Sequence, residues 1–160
     1  MANKKNKIDT PQEMDACRVA GATVHEPKTV QAAMRREGIK ISAKEIKALV
    51  REHGHRRERL YSLIRIQNAA KGLLYMSEGD HPIELATGLE FSLAELMQPE
   101  ATTLDQFFEG QNLVPVKEAL QKELKDIKIY RDGEVEVKIY IIGTLPDGHY
   151  AGVKTKSIET

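Results

Sequence analysis

The sequence predicts an α/β chain in which helices come first and an antiparallel sheet follows. Two observations predict it. Apolar residues between Lys28 and Tyr75 recur at helical spacing, whereas from Ile127 onward they alternate with a period of two. An Asp132-Gly133 pair separates two alternating runs, and Pro146-Asp147-Gly148 marks a second turn before the last run.

The elements follow in order. Residues 1–10 are polar, lysine-rich and aperiodic, the composition of a mobile tail, and Pro11 to Ala20 reads as a short helix with proline in its first turn. Pro27 opens a second helix whose Val30, Ala33 and Met34 share a face, and Gly38 ends it. Ser42 precedes Glu45 by three residues, the spacing at which each side chain bonds an orphan amide of a helix start. Ile46, Leu49 and Val50 form the stripe of that helix, which stops near Gly54. Leu60, Leu63, Ile64, Ile66, Ala70, Leu73 and Leu74 predict the longest helix over Arg56 to Tyr75, with Gly72 tolerated inside it. Pro82, Gly88 and Pro99 then break the pattern into short pieces. Thr103 or Asp105 caps a turn holding Phe107 and Phe108, and VPVKEALQKELKD is an amphipathic helix through Val116, Leu120 and Leu124. Beyond it, Ile127–Arg131 and Glu134–Ile142 form a hairpin with Val135, Val137, Ile139 and Ile141 on one face, and HYAGVKTKSIET returns as a final strand.

Composition narrows the function classes. At 160 residues, with 41% hydrophobic and 30% charged, the chain can bury a core without disulfides. No apolar run approaches the roughly 20 residues of a membrane span, and no apolar stretch follows the N-terminal lysines, so the reading is a cytoplasmic protein. The single cysteine, Cys17, argues against a redox or zinc role. Net charge is zero, yet residues 1–72 hold 16 Lys+Arg against 8 Asp+Glu, and residues 73–160 hold 8 against 16. Such polarity points to different partners for the two parts, or to each other.

Catalytic signatures are missing: the sequence has no phosphate-binding glycine loop, HExxH helix, nucleophile elbow or CxxC pair. His53 and His55 flank Gly54 beside arginines and read as solvated turn residues, and His81 and His149 as surface histidines. Glu78, Asp80, Glu84, Glu90, Glu134 and Glu136 read as solvated carboxylates, since spacing alone does not make two of them an acid–base pair.

Two stretches carry more. AAKGLLYMSEGDHPIE (Ala69 to Glu84) and IYRDGEVEVKIYIIGTLPDGHYAGVKTKSIET (Ile129 to Thr160) closely resemble the nuclease A inhibitor family, protein inhibitors of sugar-non-specific, metal-dependent nucleases. The family's GLL-aromatic-MSE motif, its YR-x-GEVE strand and its final AG-x-x-TK-x-x-ET strand occur here in order, over residues 60–160. The resemblance implies a three-layer α/β/α sandwich of the nuclease A inhibitor and PR-1-like type, with no catalysis or cofactor of its own. It also implies a nuclease-binding site of Glu78 and Thr160, with Thr160 reaching only the magnesium held by the partner nuclease. A hard divalent cation prefers oxygen ligands, so a threonine at a strand end suits that role. The family's longer acidic, tryptophan-containing loop is replaced after Phe107-Phe108 by EGQNLVP, where Gln111 is the candidate polar contact.

Residues 1–55 lie outside the resemblance and form a basic helical extension to the domain at 56–160. KTVQAAMRREGIKISAKEIKALVREHG has the grammar of a helix-turn-helix: Lys44, Lys47 and Arg51 fall on the outer face of its second helix, with Arg56, Arg57 and Arg59 nearby for phosphates. The alternative function is therefore a nucleic-acid-binding regulator.

Overall fold

The computed structural model describes residues 26–159, which hold six helices and six strands. The expected tail, the Pro11–Ala20 helix and Thr160 lie outside the described residues. The chain divides into two compact units, Met1–Tyr61 and Ser62–Thr160.

In the first unit, α1 (Pro27–Arg36) and α2 (Ala43–His53) bury Val30 and Met34 from one helix and Ile46 and Leu49 from the other. Gly38, at φ 79°, closes α1: its N–H bonds the Arg35 carbonyl, and the Ile39 N–H reaches back to Met34 at 2.9 Å. This pair of bonds satisfies carbonyls that a helix end leaves open, and only glycine takes the left-handed position without strain. At the start of α2 the reciprocal cap is present, with Glu45 N–H on Ser42 Oγ at 3.1 Å and Ser42 N–H on Glu45 Oε1 at 3.0 Å. His53 corrects the sequence reading. It is buried, at the end of α2, and its carbonyl accepts Arg59 Nη1 at 2.6 Å; His55 is exposed.

Helix α3 (Arg57–Ala70) is shorter than the spacing predicts. Gly72 has φ 77° and stands beyond its last turn, so Leu74–Met76 leave the helix and become strand β1. A positive φ is incompatible with a continuing right-handed helix. Strand β1 pairs antiparallel with β2 (Asp80–Pro82), Tyr75 facing His81.

The main sheet of the second unit has the order β3-β6-β5-β4, all antiparallel, with β3 at Glu84–Leu85, β4 at Lys125–Asp132, β5 at Glu136–Thr144 and β6 at Tyr150–Ile158. Val137, Ile139 and Ile141 of β5 join Ala151 and Val153 of β6 in a core with Leu63 and Ile66 of α3, Leu104 and Phe107 of α5 (Leu104–Phe107), and Val116 and Leu120 of α6 (Val114–Glu123). On the other face, Tyr140 and Ile142 pack with Phe91 and Ala94 of α4 (Gly88–Glu95). The molecule thus has the mixed helix-and-antiparallel-sheet content of an α/β fold.

Three further differences have local causes. Val135, expected among the inward residues, precedes β5 and is 58% exposed, because the hairpin widens: Asp132 pairs with Lys138 rather than closing on a two-residue turn. Helix α6 stops at Glu123, since Asp126 at φ 54° and a register shift between Lys125 and Lys128 start β4 early. Thr87–Glu90 and Thr103–Gln106 are reciprocal caps for α4 and α5, which settles the α5 cap on Thr103.

Candidate functional site

Strand β1 is where the site begins. Alternation turns Tyr75 inward, stacked on Phe107 with centroids 5.1 Å apart, and turns Leu74 and Met76 outward. The edge of β1 away from β2 has no strand beside it among the described residues. Gln111 takes that place: its Oε1 accepts the Met76 N–H at 2.9 Å, and its Nε2 donates to the Met76 carbonyl at 2.8 Å. The side-chain amide copies the two bonds of a neighbouring strand.

Ser77, Glu78 and Gly79 connect β1 to β2, and Glu78 is exposed at their centre. This loop closes against the end of β6. Ser77 Oγ accepts the Ile158 N–H at 2.9 Å, and the Glu78 N–H points to the Ile158 carbonyl at 3.4 Å. Ile158 therefore has both backbone groups on that edge occupied by the loop. The following residue is held from the other side, with the Glu159 N–H on the Val135 carbonyl at 2.8 Å and its carboxylate on Arg131 Nη1 at 2.5 Å. The Arg131 hydrogen bond holds the Glu159 carboxyl below the usual carboxylate range, against the opposing effect of burial. Tyr75 lies close by, and burial raises its phenol, with the Arg131 guanidinium opposing.

Of the three residues expected to bind a nuclease, Glu78 sits beside the end of β6, Gln111 braces the strand leading to Glu78, and Thr160 follows the last described residue. Sequence reasoning misses Ser77, Arg131 and Glu159. The Ser-x-Gly spacing signals a local turn, but nothing local signals a bond to Ile158, which lies 81 positions away.

Elsewhere, Lys44, Lys47 and Arg51 are exposed on α2, and Arg56 and Arg57 are exposed after it. A cavity of about 430 Å³ on the main sheet is lined by His81, Glu84, Glu90, Lys138, Tyr140, Lys154 and Lys156. Charges of both signs meet there: Lys154 pairs with Glu90 at 3.3 Å, and Lys156 with Glu136 at 3.4 Å. Among the described residues no cluster of three or more His, Cys, Asp or Glu side chains is arranged to hold a metal ion, and no helix is long and apolar enough to cross a membrane.

Comparison with known families gives a similarity over part of the chain. The model of the nuclease A inhibitor-like protein family matches residues 90–160. This segment is similar to that family. It contains Gln111, Arg131, Glu159 and Thr160, whereas Ser77 and Glu78 precede it: the match begins at residue 90, later than the 60–160 span expected from the motifs. A search of curated proteins returns no match.

Proposed function

We propose that the chain is a non-catalytic interaction protein that blocks the active site of a magnesium-dependent nuclease, with Glu78 and Thr160 entering that site and Gln111 beside them. The observation that carries the reading is the bond between the Glu78 N–H and the Ile158 carbonyl: it puts the acidic loop beside the strand end that leads to Thr160. Carboxylate and hydroxyl oxygens there suit a magnesium ion held by the partner, and a carboxylate imitates a substrate phosphate. The acidic excess of residues 73–160 favours approach to a cleft built for polyanions. The same reading takes the fold to be a three-layer α/β/α sandwich of the PR-1-like type, the domain to span 56–160 after a 1–55 extension, and the setting to be cytoplasmic.

Titration of the purified chain into a sugar-non-specific, magnesium-dependent nuclease tests it. Stoichiometric inhibition is expected, and Glu78→Gln weakens it by about 30-fold or more, the loss typical of one partner in a desolvated charge contact. Full nuclease activity in excess protein, or inhibition indifferent to Glu78→Gln, contradicts the reading.

A second reading has its own observation. The exposed Lys44, Lys47 and Arg51 at successive turns of α2 make a basic face, and with Arg56 and Arg57 they suit phosphate contacts of a nucleic-acid-binding regulator. Such binding falls steeply with salt, and a flat salt response in a duplex titration rejects it.

A further inference from the structure

We infer that Ser77 is the positioning residue of the acidic edge: its hydroxyl sets the spacing between Glu78 and the end of β6. This deepens the nuclease-inhibitor reading and rests on it for its functional consequence.

Valence sets what this oxygen can do. A serine hydroxyl has one proton to donate and two lone pairs to accept with. Here Ser77 Oγ donates to the Gly79 carbonyl at 2.7 Å and accepts the N–H groups of Gly79, at 3.3 Å, and Ile158, at 2.9 Å. All three capacities are used. Two of these bonds fold the loop over Glu78, and the third fastens it to β6, so one oxygen both shapes the loop and sets its distance from the strand.

The surroundings leave this oxygen little competition. Strand β3 covers β6 only at Val153 and Lys154, and the edge farther along is open for other partners. Open edges are satisfied by whatever donors and acceptors lie beside them. At Thr155 the side chain donates to the Pro82 carbonyl, and at Ile158 the loop supplies both partners. The Glu78 N–H contact is the longer of those two, at 3.4 Å, so the Ser77 bond is the shorter tie between the loop and the strand end. Gly79 adds close packing, because a side chain there would meet Ile158 Cγ1 at 3.1 Å. Gln111 secures the other end of the loop through Met76. Without the hydroxyl, Glu78 keeps its charge and its neighbours but loses its fixed register against Ile158. Fixed register matters because binding through a pre-set pair of groups avoids the ordering cost a mobile loop would incur.

Two measurements on the full chain test the inference, using Ser77→Ala and the hydroxyl-retaining Ser77→Thr. The first is amide hydrogen exchange at Ile158, with Ile141 in the core of β5 as internal reference. Ser77→Ala should speed Ile158 exchange about tenfold, the loss of one hydrogen bond, while Ile141 is unchanged; Ser77→Thr should restore the Ile158 rate. Unchanged exchange at Ile158, or equal acceleration at Ile141, overturns the inference whatever the partner is. The second is inhibition of the magnesium-dependent nuclease. Ser77→Ala should raise the inhibition constant about tenfold, Ser77→Thr should return it to within about threefold of the wild type, and Ser77→Ala should add little in a Glu78→Gln background. Equal inhibition by Ser77→Ala and the wild type overturns the positioning role. Absence of inhibition by the wild-type chain overturns the nuclease reading instead, and the exchange result then stands by itself.

Discussion

The basic face of α2 and the acidic edge around Glu78 present charge by opposite means. Lys44, Lys47 and Arg51 are neighbours because a helix brings positions three and four apart together, and one capped segment of eleven residues suffices. The acidic edge draws on four separate stretches: the 77–79 loop, Gln111, the Arg131–Val135 region and Ile158–Glu159. The side-chain bonds that join these stretches span 28 to 81 positions in sequence. A face of the first kind tolerates change, whereas an edge of the second kind holds only while the sheet beneath it keeps its register.

Substitutions that separate the two means sharpen this contrast. The largest effect is expected at Gly152, where β6 crosses β5: a Cβ there would overlap the Ile141 carbonyl oxygen, so backbone must move. Gly152→Ala should cost about 3 kcal/mol in urea unfolding and weaken inhibition along with stability. A loss under about 1 kcal/mol would mean that the register is more pliable than the packing indicates. Next is Ser42→Ala, which removes the reciprocal cap of α2 and should cost about 1 kcal/mol, with inhibition unchanged. Reduced inhibition there would show that the helical unit takes part in the acidic edge's work.

Replacing Lys44, Lys47 and Arg51 together with serine tests the basic face. If these residues neutralise phosphates, the slope of log affinity against log salt should fall by about 0.9 for each phosphate that is no longer paired, while nuclease inhibition is untouched. An unchanged slope assigns the face to solvent. The smallest effect is expected from Glu159→Gln. A carboxyl held low by Arg131 stabilises the fold above the ordinary glutamate range, and that contribution is lost as pH falls through the folded-state value. The wild-type advantage should therefore shrink as the pH is lowered from about 6 to about 3, a span that crosses the free glutamate value. An advantage that grows on acidification has the wrong sign for this pair.

The same contrast explains what is legible in the sequence. The α2 cap, the Gly38 stop and the alternation of Val137, Ile139 and Ile141 in β5 are local patterns found in place, and of the two caps the sequence offers for α5 the structure has Thr103. Gly72 is ambiguous because a glycine inside a helix and a glycine ending one look alike in sequence, and only the pairing of Leu74–Met76 with Asp80–Pro82 separates them. His53 misleads for a related reason: its neighbours are polar, yet its position on α2 turns it inward. Within the site, motif resemblance points to Glu78, and Gln111 is only a candidate stand-in where the family's loop is replaced; the amide bracing of Met76 and the Ser77 and Arg131 ties join distant residues and leave no periodic trace.

Under the proposed function, the loop carrying Glu78 and the residue after Glu159 enter the nuclease's active site together. Deleting Thr160 alone and measuring inhibition of a magnesium-dependent nuclease tests this most directly. The proposed function predicts an inhibition constant raised about 100-fold or more, with urea stability unchanged, because it assigns Thr160 to the nuclease's metal and not to the fold. Inhibition by the shortened chain equal to that of the full one would contradict it.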